Sequence, residues 1–381
     1  MEKKVLRSDP EKLLRQIVRR FVAEEITPNA REWDEAEKVP EEIIKKIAGM
    51  KLFGLRYPVK SGGCGGNSTL YCIMSEEMAQ GLLSLAAKVA KQCLMGTEHL
   101  FRFGSKKMKE QYFEPAMRGE KIGSFCLTEP EAGGDLGAVS TTATKDGDQW
   151  VISGMKTWIT NAPIAAFFTV LAQTDRSKGV RGLNFFFVPR ETPGVSVSPR
   201  FETLGTRTTD IAEVAFNDCR IPADHILGIP GKGLKSLLSI LADIRSMTAA
   251  LAIGLAKAAY KDSFQYGQER QAFGKTISKY QLIQSKISNM ATDIWASELM
   301  LYDTTRKIDA GQPAGKESMM LKYFATETAC KCCDEATRIM GAYAYSMEYP
   351  VQRYFRDARF LLYGGGTHEV LQQNIARELK F

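Results

Sequence analysis

Two stretches decide how the chain is read: Phe125-Cys126-Leu127-Thr128-Glu129-Pro130-Glu131-Ala132-Gly133-Gly134-Asp135 and Lys156-Thr157-Trp158-Ile159-Thr160-Asn161. The first is a short apolar run that breaks into a turn of proline, glycine and acid. That is the pattern of a strand end opening into a loop where backbone amides meet a ligand. In the second, Trp158 offers a flat apolar face, and Thr157 and Thr160 offer hydroxyls. This combination suits a planar heteroaromatic group with polar ring atoms. On these residues alone, a strand–turn–strand with a core tryptophan fits equally well.

Outward from these stretches the texture is β-rich from about Lys121 to Pro230. Short runs at Trp150–Ser153, Phe167–Ala172, Asn184–Val188 and Ile211–Phe216 are separated by Gly, Pro, Asn and Asp. Both flanks are helical. Upstream, Leu14, Ile17, Val18, Phe21 and Val22 recur at helical spacing, Glu41–Met50 forms a second helix, and Leu70–Phe103 reads as one or two buried helices. Lys88 and Lys91 interrupt that apolar run, and such lysines usually reach a surface. Gly62-Gly63-Cys64-Gly65-Gly66 reads as a turn, because no Lys-Ser/Thr follows it and no βαβ unit surrounds it. Downstream, Leu237–Gln265, Lys279–Asp309 and Lys316–Tyr343 are long periodic segments with short joints, which implies an antiparallel bundle. No Rossmann glycine fingerprint appears, which disfavours a nicotinamide-binding domain.

The 381 residues suffice for two or three domains. The formal charge, 51 − 44 = +7, is dispersed and lacks the aromatic-studded basic stripe of a nucleic-acid binder. It suits an anionic substrate or an acidic partner. The start, Met1-Glu2-Lys3-Lys4, resembles neither a signal nor a transit peptide, and no run is expected to span a bilayer, so a cytoplasmic location is expected. The eight cysteines lack secreted-type spacing, and Cys330, Cys332 and Cys333 have no histidine nearby in sequence. His99, His225 and His368 are scattered, so no metal site is expected.

Further motifs follow in order: Gln268-Glu269-Arg270-Gln271-Ala272-Phe273-Gly274-Lys275, Gln281-Leu282-Ile283-Gln284, Glu348-Tyr349-Pro350-Val351, Arg356-Asp357-Ala358 and Gly366-Thr367-His368-Glu369. Together with the two opening stretches, this set resembles the acyl-CoA dehydrogenase family over essentially the whole chain. The resemblance implies a mostly α fold with an inserted β domain: an N-terminal helical domain (1–120), a middle β-barrel-like domain (121–232) and a C-terminal four-helix bundle (233–381). It implies FAD, an acyl-CoA substrate, a homotetramer and electron-transfer flavoprotein as partner. Phe125, Leu127, Thr128, Gly133, Gly134, Trp158, Ile159 and Thr160 are then expected around the flavin. Arg270, Phe273, Gln281, Gly341, Ala342, Thr367 and Glu369 are expected as the remaining FAD contacts, Arg270 and Phe273 toward a neighbouring subunit. Gly134, Asp243, Arg245, Gly364, Gly365 and Gly366 are expected to meet the substrate, and the Lys88/Lys91 region resembles the wall of the acyl tail, where a lysine would pair with a distal carboxylate.

The resemblance also exposes a gap. A dehydrogenase of this type needs a carboxylate base beside the thioester's α-carbon. The family's usual glutamate falls on Gly365, and the alternative position falls on Ile244. Three readings follow. Another acid serves, with Asp243 foremost and Glu98 and His99 behind it, and the acyl group is bulky, cyclic or functionalised. Alternatively, the reaction is an elimination, desulfination or decarboxylation needing no such base. Finally, the protein binds acyl thioesters without turning them over.

Overall fold

The computed structural model describes residues 8–381; the Met1–Lys4 start lies outside them. The N-terminal part is helical: α1 (Asp9–Phe21), α2 (Ala30–Ala36), α3 (Glu41–Gly49), α4 (Ser68–Gly81), α5 (Leu83–Cys93), α6 (Glu98–Phe103) and the one-turn α7 (Lys106–Met108) and α8 (Glu114–Met117). Ser8 caps α1 by accepting from the Glu11 amide, and Asp9 and Glu11 in its first turn complement the helix dipole. The apolar run over Leu70–Phe103 resolves into three helices, because Leu82 between α4 and α5 is extended (φ −152°, ψ 108°) and Leu94 after α5 leaves the helical region (φ −126°, ψ −72°).

The middle domain holds β1 (Gly123–Cys126), β2 (Thr142–Asp146), β3 (Gln149–Thr160), β4 (Phe167–Gln173), β5 (Leu183–Pro189), β6 (Val195–Val197), β7 (Ile211–Pro222) and β8 (Ile226–Leu227). The sheet runs β6-β7-β3-β2-β4-β5-β8, with β1 parallel to β4. One pairing, Thr142 with Gln173, joins its two halves, so they fold over each other. Period-two alternation decides which core each side chain enters. Phe168, Val170, Phe186 and Val188 fill the space between the halves with Ile152, Val214 and Phe216. Their neighbours Phe167, Leu171, Phe185 and Phe187 turn outward into the helical core. This two-sided burial explains why these strands read as continuous apolar runs.

The C-terminal part comprises α9 (Gly233–Glu269), a hairpin of β9 (Gln271–Ala272) and β10 (Lys275–Thr276), α10 (Gln281–Asp309), α11 (Gly315–Met340), α12 (Val351–Ala358) and α13 (His368–Glu378). The small residues Ala249, Ala250, Ala252, Gly254 and Ala256 let α9 pack closely against α4 and α11. The 37-residue α9 is long and apolar enough to cross a membrane, which corrects the expectation that no run would be. Most of its apolar window (72%) is buried inside the protein, so it is the core helix of the bundle.

Buried charges tie the parts together. Glu76 of α4 accepts from Arg15 of α1 (2.7 Å), Lys257 of α9 (2.5 Å) and the Tyr302 hydroxyl of α10 (2.5 Å). Arg356 reaches Asp34 of α2 (2.6 Å), and Asp357 accepts from the Thr206 amide (2.5 Å). The Arg356-Asp357 pair therefore docks α12 onto both other domains.

Candidate active site

The loop after β1 is held by a buried ion pair. Lys156 donates to Glu129 (2.7 Å) and to the Leu127 carbonyl (3.1 Å), while Glu129 also accepts from the amide and hydroxyl of Ser140 (both 2.6 Å) and the Thr141 amide (3.0 Å). Burial opposes the charged form, but the Lys156 ammonium and these hydrogen bonds prevail and hold the Glu129 carboxyl at about 2. Sequence reading missed Lys156. Its signal was a lysine at an inward position of a strand, which needs a buried acid.

The second stretch lies at the end of β3, where pairing with β7 slips between Lys156 and Ile159. The extra residue is a bulge, and Trp158 within it has φ +59° and is thrown outward, 62% exposed. The Thr157 amide donates to the Thr128 carbonyl (2.9 Å), and Ser124 donates to the Thr160 carbonyl (2.9 Å), so the loop and the bulge form one unit. Leu127, Thr128 and Thr160 keep accessible surface beside it. Ile159 is buried between the sheet halves, and Phe125 is buried against Phe185 (ring centroids 5.3 Å) and His99 (5.5 Å). Gly134 approaches α13: a Cβ there would lie 3.0 Å from Val370. Gly133 is exposed, and Thr367 and Glu369 open α13.

A second group of expected site residues is the Gly364-Gly365-Gly366 loop. Gly365 has φ +74°, and a Cβ built on it would lie 3.6 Å from Arg245 Cγ, 3.7 Å from Ile244 Cγ2 and 3.7 Å from Thr248 Oγ1. The positions expected for the base, Gly365 and Ile244, thus face each other, and neither carries a proton acceptor. Arg245 donates from Nε to the Gly365 carbonyl (3.2 Å). Lys322 of α11, fully buried, donates to the Leu362 and Gly366 carbonyls (2.9 Å each), clamping both ends of the loop. Burial lowers Arg245 to about 10, and burial plus the Arg245 charge lowers Lys322 to about 8. Lys322 was not foreseen; a lysine on the buried stripe of Ser318, Leu321, Ala325 and Ala329 was the available signal.

Asp243 is turned elsewhere. It accepts from Ser68 Oγ (2.6 Å) and Arg56 (3.3 Å), both in the N-terminal part, whereas its neighbours Ile244 and Arg245 meet the glycine loop. Successive helical residues diverge by about 100°. Glu98 is likewise engaged, by Arg102 (2.6 Å) and Arg56 (3.4 Å). His99 shares a hydrogen bond with Ser236 (3.0 Å), and burial lowers it to about 4, which keeps it neutral near pH 7.

The remaining expected FAD contacts gather at the far end of the bundle. The Arg270 guanidinium lies 5.8 Å from the centre of the Tyr343 ring, next to Gly341 and Ala342 in sequence. Phe273, 97% exposed with φ +50°, caps the β9–β10 hairpin, and Gln281 begins α10. Arg245 and Arg270 are 25 residues apart on or at the end of one helix, about 37 Å along its axis.

Three domain profiles match the chain: Acyl-CoA dehydrogenase, N-terminal domain (residues 8–120), middle domain (124–219) and C-terminal domain (231–380). The chain belongs to the acyl-CoA dehydrogenase family. Among its relatives are benzylmalonyl-CoA dehydrogenase of Aromatoleum aromaticum, 42% identical with 98% of each chain covered, and 3-(aryl)acrylate reductase of Clostridium sporogenes, 37% identical over 98% of this chain and 99% of the other. Among solved structures, butyryl-CoA dehydrogenase from Megasphaera elsdenii superposes with a TM-score of 0.95 at 31% identity, covering 99% of each chain. The protein is therefore a flavin-dependent oxidoreductase of the three-domain acyl-CoA dehydrogenase fold, with FAD as cofactor. The residues present fit that cofactor. The outward Trp158 face, the Thr128 and Thr160 hydroxyls and the exposed Gly133–Gly134 backbone offer a flat apolar surface edged by polar groups.

Proposed function

We propose that the protein is an FAD-dependent dehydrogenase of an acyl-CoA thioester with an atypical acyl group, bulky or functionalised, and without a carboxylate at either of the family's base positions. The observation that carries this reading is the juxtaposition of Gly365 with Ile244, Arg245 and Thr248. When bound, FAD supplies the hydride acceptor. Trp158, Thr128 and Thr160 would hold its ring; with no proton acceptor in the glycine loop, the α-proton would leave to solvent or to a basic group carried by the substrate itself. Arg245 and Lys322 fix that loop and leave a positive field there, which favours negative charge developing on the thioester. The absent side chain also leaves room for a wide acyl group. The aryl groups in the names of the Aromatoleum and Clostridium relatives support a bulky one.

The expected homo-oligomer is supported by Phe273, 97% exposed at the tip of the β9–β10 hairpin beyond the end of α9. We assign Arg270 and Phe273 to a neighbouring subunit's cofactor, with the tetramer and electron-transfer flavoprotein as the arrangement and acceptor the family implies. The test is an anaerobic titration of the FAD-loaded protein with linear, branched, aryl and carboxylated acyl-CoAs, followed by flavin absorption. Bleaching by an aryl or functionalised thioester, with little by linear ones, is expected. Consumption of a thioester without bleaching and without an acceptor would overturn the dehydrogenase reading in favour of a lyase.

A further inference from the structure

We infer that Lys91 is the receptor for a carboxylate on the acyl group, so that the substrate class is carboxylated acyl thioesters; this rests on the dehydrogenase reading above and narrows it. The other lysines packed inside the protein each have a reason to be there. Lys88 pairs with Asp210 (2.5 Å), Lys156 with Glu129 (2.7 Å), Lys257 with Glu76 and Glu298 (2.5 Å each), and Lys322 binds two backbone carbonyls. Lys91 differs. Its ammonium donates to Thr160 Oγ1 (2.7 Å) and lies 4.5 Å from the centre of the Phe360 ring, and no acid pairs with it among the described residues. An ammonium has three donors. One hydroxyl and one ring face leave its charge uncompensated, which is costly in a protein interior.

Position gives the cost a purpose. Lys91 lies deep enough for burial to pull it from 10.5 to about 8, yet it keeps accessible surface. Its two contacts belong to the two groups of site residues already described. Thr160 ends the strand that carries Trp158, and Phe360 lies in the turn that leads into the Gly364–Gly366 loop. An anion reaching those groups meets a cation that is already placed and partly dehydrated. Of the other cations nearby, Arg56 is neutralised by Asp243 and Glu98, and Arg245 and Lys322 are bound to the carbonyls of the glycine loop. A carboxylate accepts the remaining N–H donors, and a charge-assisted hydrogen bond of this kind corresponds to roughly 10- to 100-fold in affinity.

The experiment uses FAD-loaded protein and two matched pairs of thioesters, benzylmalonyl-CoA with 3-phenylpropanoyl-CoA, and glutaryl-CoA with pentanoyl-CoA. Dissociation constants are read from the flavin difference spectrum or, where turnover intervenes, by calorimetry without an electron acceptor. Wild type is expected to favour the carboxylated member of at least one pair by about 10-fold or more. Lys91→Met should erase that preference by weakening the carboxylated member far more than the neutral one, and Lys91→Arg should restore most of it. An unchanged preference in Lys91→Met would overturn the inference. So would equal weakening of both members with a shifted flavin spectrum, which would assign Lys91 to the cofactor through Thr160. Absence of any thioester binding would instead strike at the dehydrogenase reading, so the two failures are distinguishable. If Lys91→Met does not fold, the inference is judged on Lys91→Gln, held to the same criteria.

Discussion

Restoring the missing carboxylate by Gly365→Glu tests the site most directly. The geometry admits it. The nearest atoms to a new Cβ are 3.6–3.7 Å away, which is ordinary van der Waals contact. The cost is conformational, since φ at Gly365 is +74° and a residue with a Cβ held in that region loses about 1–2 kcal/mol. Arg245, which has no acidic partner among the described residues, offsets part of that loss through a charge-assisted hydrogen bond of about 1.5–3 kcal/mol. Stability should therefore change by no more than about 1–2 kcal/mol. The gain should appear in chemistry, because a positioned general base accelerates proton removal by about 10²–10⁴-fold. The assay is stopped-flow flavin reduction by saturated linear acyl-CoAs under anaerobic conditions, with the variant's melting curve and FAD content as controls. The expected result is reduction at least about 100-fold faster than wild type. A folded, FAD-loaded variant with no gain would refute the claim that this loop faces the α-carbon of linear thioesters. Fast reduction of linear thioesters by wild type would refute the claim that the chain lacks a base for them.

Asp243→Asn leaves the buried Arg56 with Glu98 alone, so we expect a loss of about 3 kcal/mol in thermal or denaturant unfolding, with flavin reduction slowed only in step with the loss of folded protein. A selective loss of reduction at unchanged stability would make Asp243 the base. Arg270→Ala and Phe273→Ala should lower FAD retention and weaken subunit association, read by flavin-to-protein absorbance after gel filtration and by light scattering; full retention in an unchanged oligomer would remove them from a shared site. Glu129 and His99 give the protein an acid-sensitive window. Both pKa values are depressed in the folded state, Glu129 from 4.5 to about 2 and His99 from 6.5 to about 4, so their contributions are fully present above the ordinary values and are lost as pH falls through these ranges. Melting temperature should fall below pH 6.5 and more steeply below 4.5, and Glu129→Gln should flatten the second part. A wild-type melting temperature that does not fall as pH drops from 6.5 would refute that assignment.

The sequence made the helix–sheet–helix order legible because each part has its own period. Apolar residues at helical spacing mark α1, and β4 and β5 announce themselves by unbroken runs that the structure explains by burial on both faces. The run Trp150–Ser153 was only the start of β3, which continues to Thr160. Gly154 and the bulge at Thr157–Trp158 interrupt the alternation that would have extended it. The glycine loop and its facing residues were legible through motif spacing. The lysines behind the site were not, since a buried lysine and a surface lysine are the same letter, and only the partner, Glu129 for Lys156 or two carbonyls for Lys322, distinguishes them. The rotation of about 100° per helical residue already set Asp243 apart from the Ile244 position, but did not say what it would meet. Its partners Arg56 and Ser68 lie 187 and 175 residues away in the chain, and no local pattern encodes that distance.

The electrostatics of the glycine loop connect these observations. Two cations, Arg245 and Lys322, bind the carbonyls of a three-glycine loop whose central position carries acid in the family pattern. With glycine there, neither group forms an ion pair among the described residues, and the more distant Glu327 and Glu369 oppose the charge of Lys322. A glutamate at Gly365 would both take up a proton and repel an anionic acyl group; its absence removes both effects at once. The same substitution that costs the protein an ordinary base therefore opens the site to substrates that bring their own negative charge. Lys91 adds a third cation on the side of Thr160 and Phe360. A neutral linear acyl chain has no group to answer these charges. On the proposed reading, glycine at 365 removes both the usual base and a charge that would repel an anionic acyl group, while Lys91 supplies the cation that receives it.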